Sequence, residues 1–329
     1  MSTTILLGPQ RFTTTVGAVV RSLDLTGRIA MVNAGWEERE ADDFELAGHL
    51  DGRGVNLGLH HRMTDVLEKD EQVATALREF RESVDELRAF YGIRLQSAMD
   101  AVEAVAHRTS LHDVRPWAAE AAIESVRDVD KWYAAAVAEL HASLRAATSP
   151  DSSGIIGWHR GEIGAVLAEC EGVVVAGGNV RVLLETLRLF DVSFRPEQVV
   201  VAWSAGAMAL TDEVVLFHDF APHGVTAAEL HDRGLGRLPG VIALPHAKRR
   251  LRLDDREHMA RLARRFVEHR LLLLDDGAVV RFHHDAAHGA EGGAEGGAEG
   301  AATSGGAPVV PAGARVVQAD GHVSVVQAA

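Results

Sequence analysis

Apolar positions in this chain fall into two textures. Residues 27–33 (GRIAMVN), 54–60 (GVNLGLH) and 172–176 (GVVVA) are short runs with little polar interruption, the pattern of strands buried on both faces. Between them, the charged run 36–43 looks like the start of a helix, and residues 160–169 and 180–190 read as helices. Strands alternating with helices imply a parallel sheet with helices on its faces. From residue 61 to 148 the texture changes. Strand signals vanish, and Val66, Val73, Leu77, Phe80, Val84, Leu87 and Phe90 recur at helical spacing. This stretch predicts a helical hairpin or small bundle inserted into the α/β unit, its apolar stripe serving as core rather than ligand site. A turn-rich seam at 148–154 closes the insertion. The expected organisation is an α/β domain of residues 1–60 and 149–329 around a helical insertion at 61–148.

Downstream, an apolar run from 199 leads into residues 205–210. A strand is expected at 214–217, then an irregular stretch through Asp219, Pro222 and His223, a glycine-rich segment at 234–240, and a strand at 241–244 ending in Pro245-His246. A helix over 254–268 follows, with Asp254 or Asp255 at its N-cap, one face apolar (Met259, Leu262, Phe266) and the other basic. Residues 271–275, 278–282 and 316–326 read as a C-terminal β-hairpin region, turning at Asp276-Gly277 and Asp320-Gly321. Residues 289–313, built on repeated GAEG, are too poor in apolar surface to order themselves, which predicts a disordered loop.

Composition narrows the function. The chain has 329 residues, with 33 Lys and Arg against 47 Asp and Glu and a net charge of −14. That argues against general binding to nucleic acid or to an anionic membrane surface. No run of about 18 apolar residues and no leader pattern occurs, so the expected location is cytoplasmic. The one cysteine, Cys170, excludes an intramolecular disulfide framework and any multi-cysteine metal site; it reads as a buried small hydrophobe near the end of its helix. His283, His284, Asp285 and His288 have a metal-like look but lack regular spacing, so no metal and no cofactor is expected.

Residues 199–210, VVVAWSAGAMAL, carry the chemistry. A buried strand ending at Trp203-Ser204 and passing directly into small helix formers is the pattern of a nucleophile elbow, with Ala202-x-Ser204-x-Gly206 in place of the usual G-x-S-x-G. The elbow exposes the serine hydroxyl and turns the N–H of Ala205 toward a developing oxyanion. The competing reading is a plain N-cap serine. Such a serine needs a base and an orienting acid. His246 is the candidate base, because it ends a strand expected at the same sheet edge as Ser204, and Asp219 lies between the two in sequence. Gly177-Gly178-Asn179, between a strand and a helix, lets backbone approach a ligand.

Four segments, AGGNVRVLLETL (176–187), AWSAGAMAL (202–210), GLGRLPGVIALPH (234–246) and DDREHMARL (254–262), resemble the peptidase E and cyanophycinase family of serine peptidases. The resemblance covers roughly residues 26–60 and 154–326. It implies a mostly parallel sheet flanked by helices, similar to class I glutamine amidotransferases. It also implies Ser204 as nucleophile, His246 as base, Asp219 as orienter, and the backbone of Gly178 and Ala205 as oxyanion hole. Gly177, Asn179 and Arg256 become candidate substrate-binding residues, Arg256 matching the family arginine that helps recognise an acidic side chain. The chain departs from the family pattern at Val180, where the turn usually continues Asn-Thr, and at Ala247, usually aromatic. Lys248, Arg249, Arg250 and Arg252 make the stretch before Arg256 unusually basic. The expected partner is therefore a small peptide with a carboxylate, and a homodimer is compatible with the sequence. A glutamine amidotransferase is disfavoured by serine in place of cysteine at the elbow. A non-catalytic scaffold using the helical insertion as a partner surface is the alternative.

Overall fold

The apolar runs become the strands of one central sheet in the computed structural model, which describes residues 2–110, 112, 114–149, 153–195, 197–220, 227–284 and 310–327. Most of the glycine-rich segment 289–313 lies outside these residues, as do Asp151, Ser152, Pro222, His223, Asp285 and His288. The central sheet contains β1 (Ser2–Leu7), β2 (Arg28–Val32), β3 (Gly54–Asn56), β4 (Cys170–Val175), β5 (Val199–Trp203) and β10 (Val279–His284), in the order β10-β1-β5-β4-β2-β3. All neighbours are parallel except β10, which runs antiparallel to β1. The fold is thus α/β with a mostly parallel sheet. Cys170 is the first residue of β4 rather than a helix-end residue, and it is buried.

A second sheet, β12-β11-β9-β8, holds β8 (Val241–Pro245), β9 (Arg270–Leu274), β11 (Arg315–Val317) and β12 (Val323–Val325). Here β8 and β9 are parallel, whereas β11 is antiparallel to both β9 and β12. The expected pairing of 271–275 with 278–282 does not form. The Asp276-Gly277 turn carries the chain from β9 in one sheet to β10 in the other. The third sheet is the ribbon β6 (Glu213–Leu216) with β7 (Glu229–Arg233).

Helices cover the central sheet on both faces. On one side, α1 (Val16–Arg21) and α2 (Phe44–His49) bury Val16, Val20 and Leu46 against Ile5, Ile29 and Val174. On the other lie α3 (Leu59–Lys69), α6 (Gly154–Ala168) and α7 (Val180–Leu189), joined by one flank of the long helices α4 (Glu71–His107) and α5 (Arg115–Thr148). The helical texture therefore produces an antiparallel hairpin of 37 and 34 residues. Asp70 caps α4 by accepting from Val73 N at 3.1 Å, and Pro116 opens α5. The far half of the hairpin packs on the second sheet and on α10 (Arg256–Arg265), where Tyr91, Tyr133, Met259 and Leu273 share a core. No helix among the described residues is long and apolar enough to cross a membrane.

Candidate active site

Strand β5 ends at Trp203 and α8 (Ala205–Ala209) begins two residues later, so Ser204 must turn the chain alone. It does so at φ 50°, ψ −121°, a conformation that costs a non-glycine residue of order 1–3 kcal/mol and is kept where geometry matters to function. The small neighbours are required by space. A Cβ on Gly206 would lie 2.3 Å from the Val175 carbonyl oxygen, and one on Gly177 would lie 2.8 Å from the Ser204 Cβ. The Ser204 side chain caps nothing. Its Oγ instead lies 3.3 Å from His246 Nε2, within reach to donate to a neutral imidazole carrying its proton on Nδ1.

His246 follows β8, and so reaches Ser204 from the second sheet rather than from a neighbouring strand of the same sheet. Its backbone is left-handed, φ 59°, ψ 30°, and is held at both ends: its N–H donates to Leu274 O at 2.9 Å, and its carbonyl accepts from Arg249 N and Arg250 N. The imidazole pKa lies below the usual value because burial disfavours the cation and nearby Arg250 adds to the effect; Asp276 and Asp275 oppose it. A base poised neutral near pH 7 results.

The glycine pair supplies the other wall. Gly178 sits at φ 118°, and a Cβ there would lie 2.1 Å from Gly35 O. Among the described residues, neither Gly178 N–H nor Ala205 N–H has a hydrogen-bond partner, and both residues line the same cavity as Ser204. Asn179 serves α7 rather than the cavity. Its Oδ1 accepts from Arg181 N and Val182 N, its Nδ2 donates to Glu37 Oε1 at 3.1 Å, and its N–H donates to Gly35 O at 2.7 Å. Glu37 itself is strained, φ 57°, ψ −127°, within the turn Ala34–Arg39. Residues 33–39 were not read as part of the site, because nothing in their local pattern signals that Gly35 will abut Gly178.

Two expected residues are placed elsewhere. Asp219 is buried, and its Oδ2 accepts from Arg252 N at 2.7 Å and pairs with His258 Nε2 at 3.0 Å. Burial alone would raise its carboxyl pKa, but the bonds from His258 and Arg252 outweigh this and hold it below the usual value. No hydrogen bond joins Asp219 to His246, so the carboxylate expected to orient the imidazole braces the chain after β8 instead. Arg256 is exposed and bound to Asp320 through side chain and carbonyl, outside the cavity. The cations lining the cavity are Arg11, Arg39 and Arg250; Arg39 pairs with Asp42, and Arg250 has no ion pair among the described residues. The basic stretch after His246 was the signal for Arg250. The cavity holds about 590 Å³, with Trp36, Trp203 and Met208 as apolar wall. No group of three or more His, Cys, Asp or Glu side chains able to hold a metal occurs among the described residues.

An α/β fold that turns a serine out on a strained strand-to-helix elbow beside an imidazole is the arrangement of a serine-type peptidase. The sequence profile of peptidase family S51 matches residues 121–289, just over half of the chain. The chain belongs to that family, which includes peptidase E and cyanophycinase. No curated protein matches it. Among solved structures it is similar to a peptidase from an acI-B1 Actinobacterium, at 12% identity and a TM-score of 0.38, over 86% of this chain and 83% of that chain.

Proposed function

We propose that this serine peptidase cleaves amide bonds of short peptides that carry a carboxylate near the scissile bond, through an acyl-enzyme on Ser204. The 3.3 Å approach of Ser204 Oγ to His246 Nε2 is the observation that carries the reading. In the first half-reaction the hydroxyl proton passes to His246 Nε2 as Oγ bonds to the carbonyl carbon. The oxygen that becomes negative is received by the free N–H groups of Ala205 and Gly178. As the C–N bond breaks, the imidazolium returns the proton to the departing amine. Water, deprotonated by the same imidazole, then releases the acid and restores Ser204.

The carboxylate preference rests on Arg250 and Arg11 at the cavity wall. A guanidinium forms a charge-assisted fork with a carboxylate, and a cation without an intramolecular partner has that fork to offer. Arg256, committed to Asp320, is not assigned this role. A panel of acidic and neutral dipeptides assayed for amine release tests both parts. Turnover of acidic members that vanishes in Ser204→Ala supports the reading, and equal turnover of acidic and neutral members removes the carboxylate preference.

A further inference from the structure

The acid beside His246 that the chain uses is not Asp219. We propose that Asp275 is the positioning residue for His246, and that Arg315, contributed from beyond the glycine-rich segment, holds Asp275 in place. The inference rests on Ser204 and His246 acting as proposed above.

Asp275 directly follows β9, the parallel neighbour of β8, so it emerges beside His246 at the same strand end. It is buried, 7% exposed, yet fully engaged. One carboxylate oxygen accepts from Lys248 N at 2.7 Å, which caps the first turn of α9 (Ala247–Arg250) two residues after His246. His246 has no side-chain cap to offer that turn, and its own left-handed backbone depends on the turn's carbonyl bonds. The other oxygen pairs with the guanidinium of Arg315 in β11. Arg315 lies outside residues 121–289, so the part of the chain matching the family profile does not contain the group that fixes this carboxylate. A chain of contacts thus runs from the C-terminal ribbon through Arg315 and Asp275 to the turn that aims the imidazole.

The charges facing His246 are Arg249 and Arg250 on α9 and Asp275 and Asp276 after β9, with Arg315 behind Asp275. The test is the rate of Ser204 labelling by a fluorophosphonate as a function of pH, in the full chain, for Asp275→Asn, Arg315→Gln and the control Asp276→Asn. Asparagine keeps an oxygen for Lys248 N but removes the anion, so labelling falls at least tenfold and its acidic limb moves to lower pH. Arg315→Gln also slows labelling, and its limb moves to higher pH because a cation is lost. Asp276→Asn leaves the labelling rate at the plateau unchanged. Asp275→Asn labelling at the wild-type rate with an unmoved limb overturns the inference. So does a loss uniform across pH with a lowered melting temperature, the mark of a purely structural role. An unlabelled wild type would overturn the reading of Ser204 and His246 themselves, and this inference with it.

Discussion

A methyl group on Gly178 would lie 2.1 Å from the carbonyl oxygen of Gly35, on a backbone at φ 118° that side chains rarely adopt. Gly178→Ala must therefore move the loop that presents the Gly178 N–H. Loss of one oxyanion donor costs roughly 3 kcal/mol of barrier, so kcat/KM for a cleaved peptide falls about 100-fold or more, with circular dichroism unchanged. An unaltered rate would remove Gly178 from the site. Arg250 has two separable effects at the same scale. Its charge disfavours the His246 cation. In Arg250→Gln the imidazole pKa rises, and the acidic limb of kcat/KM moves to higher pH. The same variant raises KM for acidic peptides and leaves neutral ones little changed; a wild-type limb or an unchanged acid preference contradicts the assignment. Ser204 and His246 were readable from the sequence because each ends a short apolar run, a local signal. The roles expected for Asp219 and Arg256 were not, because a carboxylate or guanidinium takes whichever partner packing brings nearest, here His258 for one and Asp320 for the other.

At the scale of elements, the hairpin of α4 and α5 is tied to the rest by a buried polar knot. Arg265 on α10 forks onto Asp130 of α5 at 2.7 Å from both Nε and Nη2, and donates to the Tyr91 hydroxyl at 2.9 Å. That hydroxyl donates to Asp130 and accepts from Leu230 N at the start of β7. Arg265 and Asp130 are 6% and 7% exposed. Removing one partner leaves the other charge buried and unpaired, which costs about 3–5 kcal/mol. Asp130→Ala is expected to lose that much in urea unfolding, and a loss under 1 kcal/mol would mean the knot is not stabilising. Periodicity made the hairpin visible, with Val73, Leu77, Phe80 and Val84 buried as the stripe required. It could not show that the stripe divides its length between two cores. β1 and β7 were missed in the sequence: β1 opens with polar Ser2, Thr3 and Thr4, and β7 (ELHDR) pairs only at one edge of a two-stranded ribbon.

At the scale of the whole molecule, the two sheets matter more than either alone, since Ser204 comes from the central sheet and His246 from the second. Alternating strands and helices revealed the parallel sheet, but strand order and the division into sheets depend on long-range pairing that no local pattern encodes. Stability as a function of pH reports on this packed whole. His231, on β7 between the ribbon and α5, has its imidazole pKa pushed down to about 4 by burial, and its Nδ1 is sealed without a partner among the described residues. The unfolded chain takes up this proton below about pH 6.5, while the folded one does so only near 4. Folding stability is therefore fully present above about 6.5 and falls as the pH drops toward 4, by up to about 3 kcal/mol. Thermal melts of wild type and His231→Gln at pH 7.5, 6, 5 and 4 check this. The variant is expected to show the shallower loss, and parallel curves would contradict it.

The central claim is that Ser204 is a nucleophile activated by His246. It is tested most directly by treating the full chain with a fluorophosphonate and locating the adduct by peptide mass spectrometry. One adduct on Ser204 is expected, absent in Ser204→Ala and slowed at least a thousandfold in His246→Ala. Labelling of another residue, or undiminished labelling of Ser204 without the imidazole, would contradict the account.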